Sequence, residues 1–132
     1  MKKLIKAYLV DTEKQETRPV EIEDKLETYY RMLNCDTIEI HTIAIGPESI
    51  EYDCVMDEEA TFKVDNRLSA IDCGLRAVFL GSLMVVGKAD KEGELTSLTD
   101  DDIEYIESEC VRNVATINHP EGNVMLTDVE ML

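Results

Sequence analysis

Carboxylates dominate the chemistry open to this chain. Two windows, Glu48 to Glu59 and Asp100 to Glu109, hold acids and no base. In the first, Glu51, Asp53 and Asp57 fall on alternate positions of a run that reads as a strand, so they point to one side. In the second, Asp100, Glu104 and Glu107 recur at i, i+4 and i+7 and line one stripe of a helix. Like charges gathered this way repel, and a cationic partner relieves the repulsion. The chemistry this predicts is recognition of a basic surface on another protein, with fast, salt-sensitive association. The commoner role of such charge is a solvated, solubilising surface. Yet no physical need of a domain this size requires a net charge of −16, and self-repulsion opposes compaction.

A second, smaller set could bind an anion. Asn66 and Arg67 stand in a polar turn, and Arg67 can hold a carboxylate or phosphate bidentately. With Arg76 and Lys88 they form an alternative pocket. The plainer role for Arg67 is to buttress the acidic turn Asp57 to Glu59. Other chemistry fails on spacing. Gly81-x5-Gly87-Lys88 has one residue too many for a phosphate loop, and Ala89 stands where a Mg²⁺-binding hydroxyl belongs. His119-Pro120-Glu121 lacks the paired cysteines of a zinc deaminase and reads as a turn. Asp90 to Glu94 lacks the spacing of a calcium loop. His41, on a strand, is a packed or edge residue before it is a base. Cys35, Cys54, Cys73 and Cys110 contain no close pair, so they read as reduced thiols with neither zinc nor disulfide. No nucleophile–base pairing is visible, so no catalytic residue, metal or cofactor is expected and no motif fixes a reaction.

The whole chain bounds these readings. Its 132 residues suit one domain, and 44% apolar residues suffice for a core. Thirteen bases against 29 acids give the balance opposite to that of a nonspecific nucleic-acid binder or a binder of anionic membranes. The excess is concentrated: residues 23–60 carry two bases and eleven acids, and residues 94–132 one base and ten acids. Lys6 breaks the only signal-like start, and the longest nearly apolar run, Ala77 to Gly87, is far short of a membrane span. A cytoplasmic location is expected.

The elements that must position these residues follow from periodicity. Leu4 to Val10 is a strand and Pro19 to Ile22 a short extended piece. Asp24 to Leu33 is a helix, with Asp24 and Glu27 spaced as a capping box and Leu26, Tyr29, Tyr30 and Leu33 on one face. Asn34 ends it in a left-handed conformation. Thr37 to Ile45 and Ile50 to Met56 form a hairpin with one wet face. The apolar phase of the first strand flips after His41, which predicts a bulge there. A short strand surrounds Phe62 and Val64, and an irregular segment runs from Asp65 to Gly74. The runs Ala77 to Leu80 and Leu83 to Val86 read as central, doubly covered strand around Gly81. Asp90 to Gly93 is a turn. Thr99 caps a second helix, Asp100 to Cys110, and Val124 to Val129 forms a last strand on Val114 to Ile117. The order predicts a single α+β domain, with a mainly antiparallel sheet, two principal helices and a C-terminal hairpin.

One set of short motifs resembles a known pattern. Lys6-Ala7-Tyr8-Leu9-Val10, the Asp57 to Glu59 turn, Asn66 to Ala70, Phe79 to Gly87, Asp90 to Glu94 and Ser97 to Ile103 occur in the order of a domain-of-unknown-function family. Its members are small proteins of phages, plasmids and integrative elements. The resemblance spans residues 3 to about 108; residues 1–112 form the family-like core, and 113–132 look like an extension. The family brings no catalytic residues with it. It implies a setting in which proteins counter host defences. Three classes then compete. The first is an acidic inhibitor of a host protein that acts through its charge as a DNA mimic. The second is a binder sequestering a nucleotide-derived defence signal, and the third is an enzyme; a structural or regulatory accessory role stands beside them. Net charge favours the first, since an anionic nucleotide would approach an electronegative surface.

Overall fold

The computed structural model describes residues 4–11, 16–59, 68–72, 78–109 and 126–131. The chain opens with β1 (Leu4–Asp11) and β2 (Glu16–Glu23), an antiparallel pair in unbroken register from Leu4 opposite Glu23 to Asp11 opposite Glu16. The helix α1 (Leu26–Leu33) leads to a second hairpin, β3 (Ile38–Ile45) and β4 (Ile50–Asp57). Then come β5 (Leu68–Asp72), β6 (Val78–Leu80), β7 (Leu83–Val86), the helix α2 (Asp100–Glu109) and β8 (Leu126–Met131). The strands form one sheet in the order β2-β1-β7-β4-β3-β8-β5-β6, antiparallel throughout except between β5 and β8. The fold is α+β, with a mainly antiparallel sheet and two helices among the described residues.

Both faces of the central strands β1, β7 and β4 are covered. Under α2, Tyr8, Val10, Ile43, Ile45, Tyr52, Cys54 and Val85 pack with Leu98 and Ile106. Under α1, Ile5, Ala7, Leu9, Val55, Met84 and Val86 pack with Tyr29, Leu33 and Leu95. This explains why β1 and β7 are apolar at nearly every position, as strands buried on both faces are. Pro19 is tolerated because β2 is an edge strand, where a missing N–H interrupts no ladder.

Several expectations are corrected. The β3–β4 hairpin has no bulge, since its register is continuous from Ile38 opposite Asp57 to Ile45 opposite Ile50. The apolar phase switches because the cover switches: Ile38 packs against the α1 cluster, whereas Ile43 and Ile45 lie under α2. Nor does β4 have a wet face. Val55 is fully buried, and Asp53 and Asp57, expected to face outward, are only 5% and 6% exposed. Asp24 does not cap α1. Lys25 holds the N-cap position without a side-chain bond, and the Asp24 carboxylate accepts the Tyr29 hydroxyl at 2.9 Å. Leu26, expected on the buried face, is 56% exposed, and Thr28 lies inside instead. The apolar runs around Gly81 are two strands in different places. β7 is central, between β1 and β4, whereas β6 lies at the far edge. The segment expected to be irregular holds β5, and β8 pairs with β3 and β5. The expected strands around Phe62 and at Val114 to Ile117 lie outside the described residues.

Three other expectations match. Asn34 is left-handed, with φ 52°, and Cys35 N–H donates to the Tyr30 carbonyl at 3.0 Å. In the turn at Asp90, the carboxylate accepts the N–H groups of Glu92 and Glu94 at 2.9 and 3.0 Å, and Gly93 takes φ 81°. Thr99 caps α2, its hydroxyl accepting Asp102 N–H at 3.1 Å. Asp102 returns the bond, accepting Thr99 N–H at 2.9 Å, which completes a capping box.

Candidate functional site

The segment entering α2 is stitched to β1 at one residue. Lys6 N–H donates to Ser97 Oγ at 2.8 Å, and the Lys6 carbonyl accepts Leu98 N–H at 2.8 Å. That stitch sets α2 beside the β1–β2 hairpin. Ile106 is the buried apolar anchor of the helix, and much of the remaining attachment is polar. The Tyr52 hydroxyl donates to Asp102 Oδ1 at 2.9 Å. The Tyr8 hydroxyl lies 3.2 Å from Glu107 Oε2 and 3.1 Å from Thr17 Oγ1. At the far end, the Tyr105 hydroxyl donates to the Ile45 carbonyl at 2.7 Å and accepts Glu48 N–H at 3.3 Å, which clasps the β3–β4 turn. Gly46 in that turn takes φ 72°, and a Cβ there would press into the Tyr105 hydroxyl.

Between α2 and the hairpin runs a groove of about 410 Å³. One wall is the predicted stripe Asp100, Glu104 and Glu107, with Ile103 among them, and the other is Lys6, Pro19, Val20 and Glu21. Four carboxylates thus face one ammonium. Lys6 Nζ is held by Asp100 Oδ1 at 2.8 Å. That hydrogen bond and the Asp100 charge raise the Lys6 pKa, with a smaller contribution from Glu21. Glu104 remains exposed at the rim. Apolar surface from Pro19, Val20 and Ile103 lies among the carboxylates. A groove of this make-up fits a Lys or Arg side chain, whose aliphatic stem packs on apolar surface while its charged head meets oxygens.

The structure thus gathers half of the predicted acidic residues. Glu51, Asp53 and Asp57 lie on the opposite side of the sheet from α2, because their neighbours Tyr52, Cys54 and Met56 are the ones packed beneath that helix. They are also occupied. Asp53 accepts the Thr42 hydroxyl at 2.7 Å and Ala89 N–H at 2.8 Å. Asp57 accepts Glu59 N–H at 2.9 Å. Glu51 pairs with Lys88, whose pKa rises through that hydrogen bond and charge. Lys88, assigned to the alternative basic pocket, therefore neutralises a member of the acidic set. Asn66, Arg67 and Arg76 lie outside the described residues. His41 is partly exposed, with Nε2 3.1 Å from Glu39 Oε1.

Lys6, Glu21 and Ile103 complete the groove and were not picked out by sequence reasoning. Lys6 and Asp100 are 94 positions apart, and only the stitch through Ser97 and Leu98 reveals their proximity. A second depression, of about 470 Å³, lies between β2 and α1. Its lining acids Glu21 and Glu23 are matched by Lys25 and Arg31, so it lacks the charge bias of the first.

Residues 5–110 match the family described as Domain of unknown function (DUF3846), and the chain belongs to that family. No curated protein and no solved structure matches it.

Proposed function

We propose that this DUF3846 member is a non-enzymatic binding protein whose acidic groove receives a Lys- or Arg-bearing segment of another protein. The observation that carries this reading is the Asp100–Glu104–Glu107 stripe set across from Glu21 over apolar surface, with Lys6 as the one cation in the lining. The site is narrower than the two acidic faces expected from sequence, because the β4 carboxylates are buried or paired. In the setting implied by the resemblance to proteins of phages and other mobile elements, the partner is a host defence protein met in the bacterial cytoplasm. The groove then acts by covering a basic surface that the partner uses elsewhere.

The test uses a short arginine-rich peptide and anisotropy at low and high salt. Wild-type protein should bind it, with affinity falling as salt screens the groove. Glu104→Gln with Glu107→Gln should weaken binding about tenfold, and Glu51→Gln should leave it unchanged. Equal binding by all three proteins, or affinity flat with salt, would defeat the reading.

A further inference from the structure

β5 and β6 reach the rest of the sheet through β8. The strand order runs β3-β8-β5-β6, and among the described residues β5 pairs with β6 and β8 alone. The family match ends at residue 110, whereas β8 begins at Leu126. A hairpin inside the matched domain is therefore joined to its sheet by a strand from outside it. The attachment is short. Against β3, β8 pairs Met131 with Ile43, Glu130 with Ala44 and Val129 with Ile45. Against β5 it pairs Leu126 with Ala70 and Val129 with Asp72, with a register shift between them. Val129 is thus matched on both sides. Residues 110–125 separate α2 from β8, a stretch that can span up to ~50 Å when extended.

We infer that the gap between β3 and β5 is a strand-acceptor site, and that residues 126–131 occupy it as a separable ligand strand, exchangeable with the same segment supplied in trans. Without an occupant, β3 and β5 would each present an open edge to solvent. Binding is by main-chain pairing, antiparallel to β3 and parallel to β5, so the ligand class is an extended peptide. Because the occupant is tethered, its effective concentration is high, and a free peptide competes only in excess. The two sides of the site form and open together, as one cooperative unit less stable than β1, β7 and β4.

Hydrogen exchange on the full chain tests this. The Ala44 amide, which alone of residues 43–45 faces β8, and those amides of residues 68–72 that are protected in the wild type should open with similar constants, faster than those of β7. Val129→Pro removes a ladder donor at the doubly paired position. It should cut protection in both segments at least tenfold and spare β1 and β7. A synthetic peptide of residues 122–132 added to that variant should restore protection saturably, and the same peptide carrying proline at position 129 should not. Unchanged protection of residues 68–72 in Val129→Pro, or no rescue by the peptide, would overturn the inference. If the variant loses protection everywhere, the wild type decides: opening constants for the two segments that differ more than tenfold reject the shared site, and matching ones support it.

Discussion

Replacing Asp53 separates an inward carboxylate from an outward one. It is 5% exposed and accepts two hydrogen bonds, from the Thr42 hydroxyl at 2.7 Å and from Ala89 N–H at 2.8 Å. Hydrogen bonds to a charged group contribute about 1.5–3 kcal/mol each, so Asp53→Ala forfeits roughly 3–6 kcal/mol in gross terms. Alanine also removes the desolvation of a buried carboxylate, which offsets part of the loss, and a net cost of about 2–4 kcal/mol is expected. Asparagine keeps an acceptor for Ala89 N–H and can donate its amide to Thr42 Oγ1, so Asp53→Asn should cost only about 1–2 kcal/mol. In urea, with a slope of about 1.5 kcal/mol/M, the midpoint should fall by roughly 2 M for alanine and about half that for asparagine. Neither change should alter affinity for the arginine-rich peptide. The reasoning fails if Asp53→Ala lies within about 0.5 kcal/mol of wild type, or if asparagine damages the fold as much as alanine. An outward-facing carboxylate would give the reverse pattern, with stability kept and affinity reduced.

Tyr105→Phe should cost about 1–2 kcal/mol, because the Ile45 carbonyl and Glu48 N–H both lose the hydroxyl that joins them; chemical denaturation reads this, and a negligible change would refute the clasp. Burial pushes the Cys54 thiol well above its ordinary range. Its labelling by a thiol reagent, followed by peptide mass spectrometry, should therefore require unfolding. Stability should hold up to about pH 10 and decline above it. Burial and the bond to Asp24 raise the Tyr29 phenol from 10.0, and the bond to Glu51 raises Lys88 from 10.5. Both groups keep protons in the folded state that the unfolded chain has lost at that pH, so the unfolded state gains as pH rises. Tyr29→Phe should make the alkaline decline shallower, and an identical slope would contradict the assignment.

The helices and the two hairpin strands β3 and β4 were legible because their signals are local. Thr99 before the aspartates of α2, Asn34 after Leu33, and the Ile50 to Met56 alternation each act within a few residues. The stripe of Asp100, Glu104 and Glu107 was legible for the same reason, since helical spacing alone places it. What alternation could not show is whether the other face of a strand is wet. Val55 stands among Glu51, Asp53 and Asp57 on that face, and β4 is central with α1 lying over it. A buried aspartate with two donors has the same one-letter code as a solvated one. The opposite wall of the groove was hidden by distance along the chain, because nothing near Lys6 announces Asp100.

The place of β7 sets an order on folding during synthesis. The hairpins β1–β2 and β3–β4 lie wholly within the first 57 residues, yet they do not pair with each other; β7 lies between them, contacting Tyr8 to Val10 on one side and Asp53 to Met56 on the other. A nascent chain that has released 80 residues thus holds two hairpins with apolar inner edges and nothing to join them. Consolidation waits for the four residues Leu83 to Val86, whose every contact in the sheet is non-local. Such a topology folds slowly relative to its size, and it exposes sticky strand edges until that late segment arrives. Abundance in the cell should accordingly be more sensitive to substitutions at Met84 and Val85 than to changes of equal size at β2.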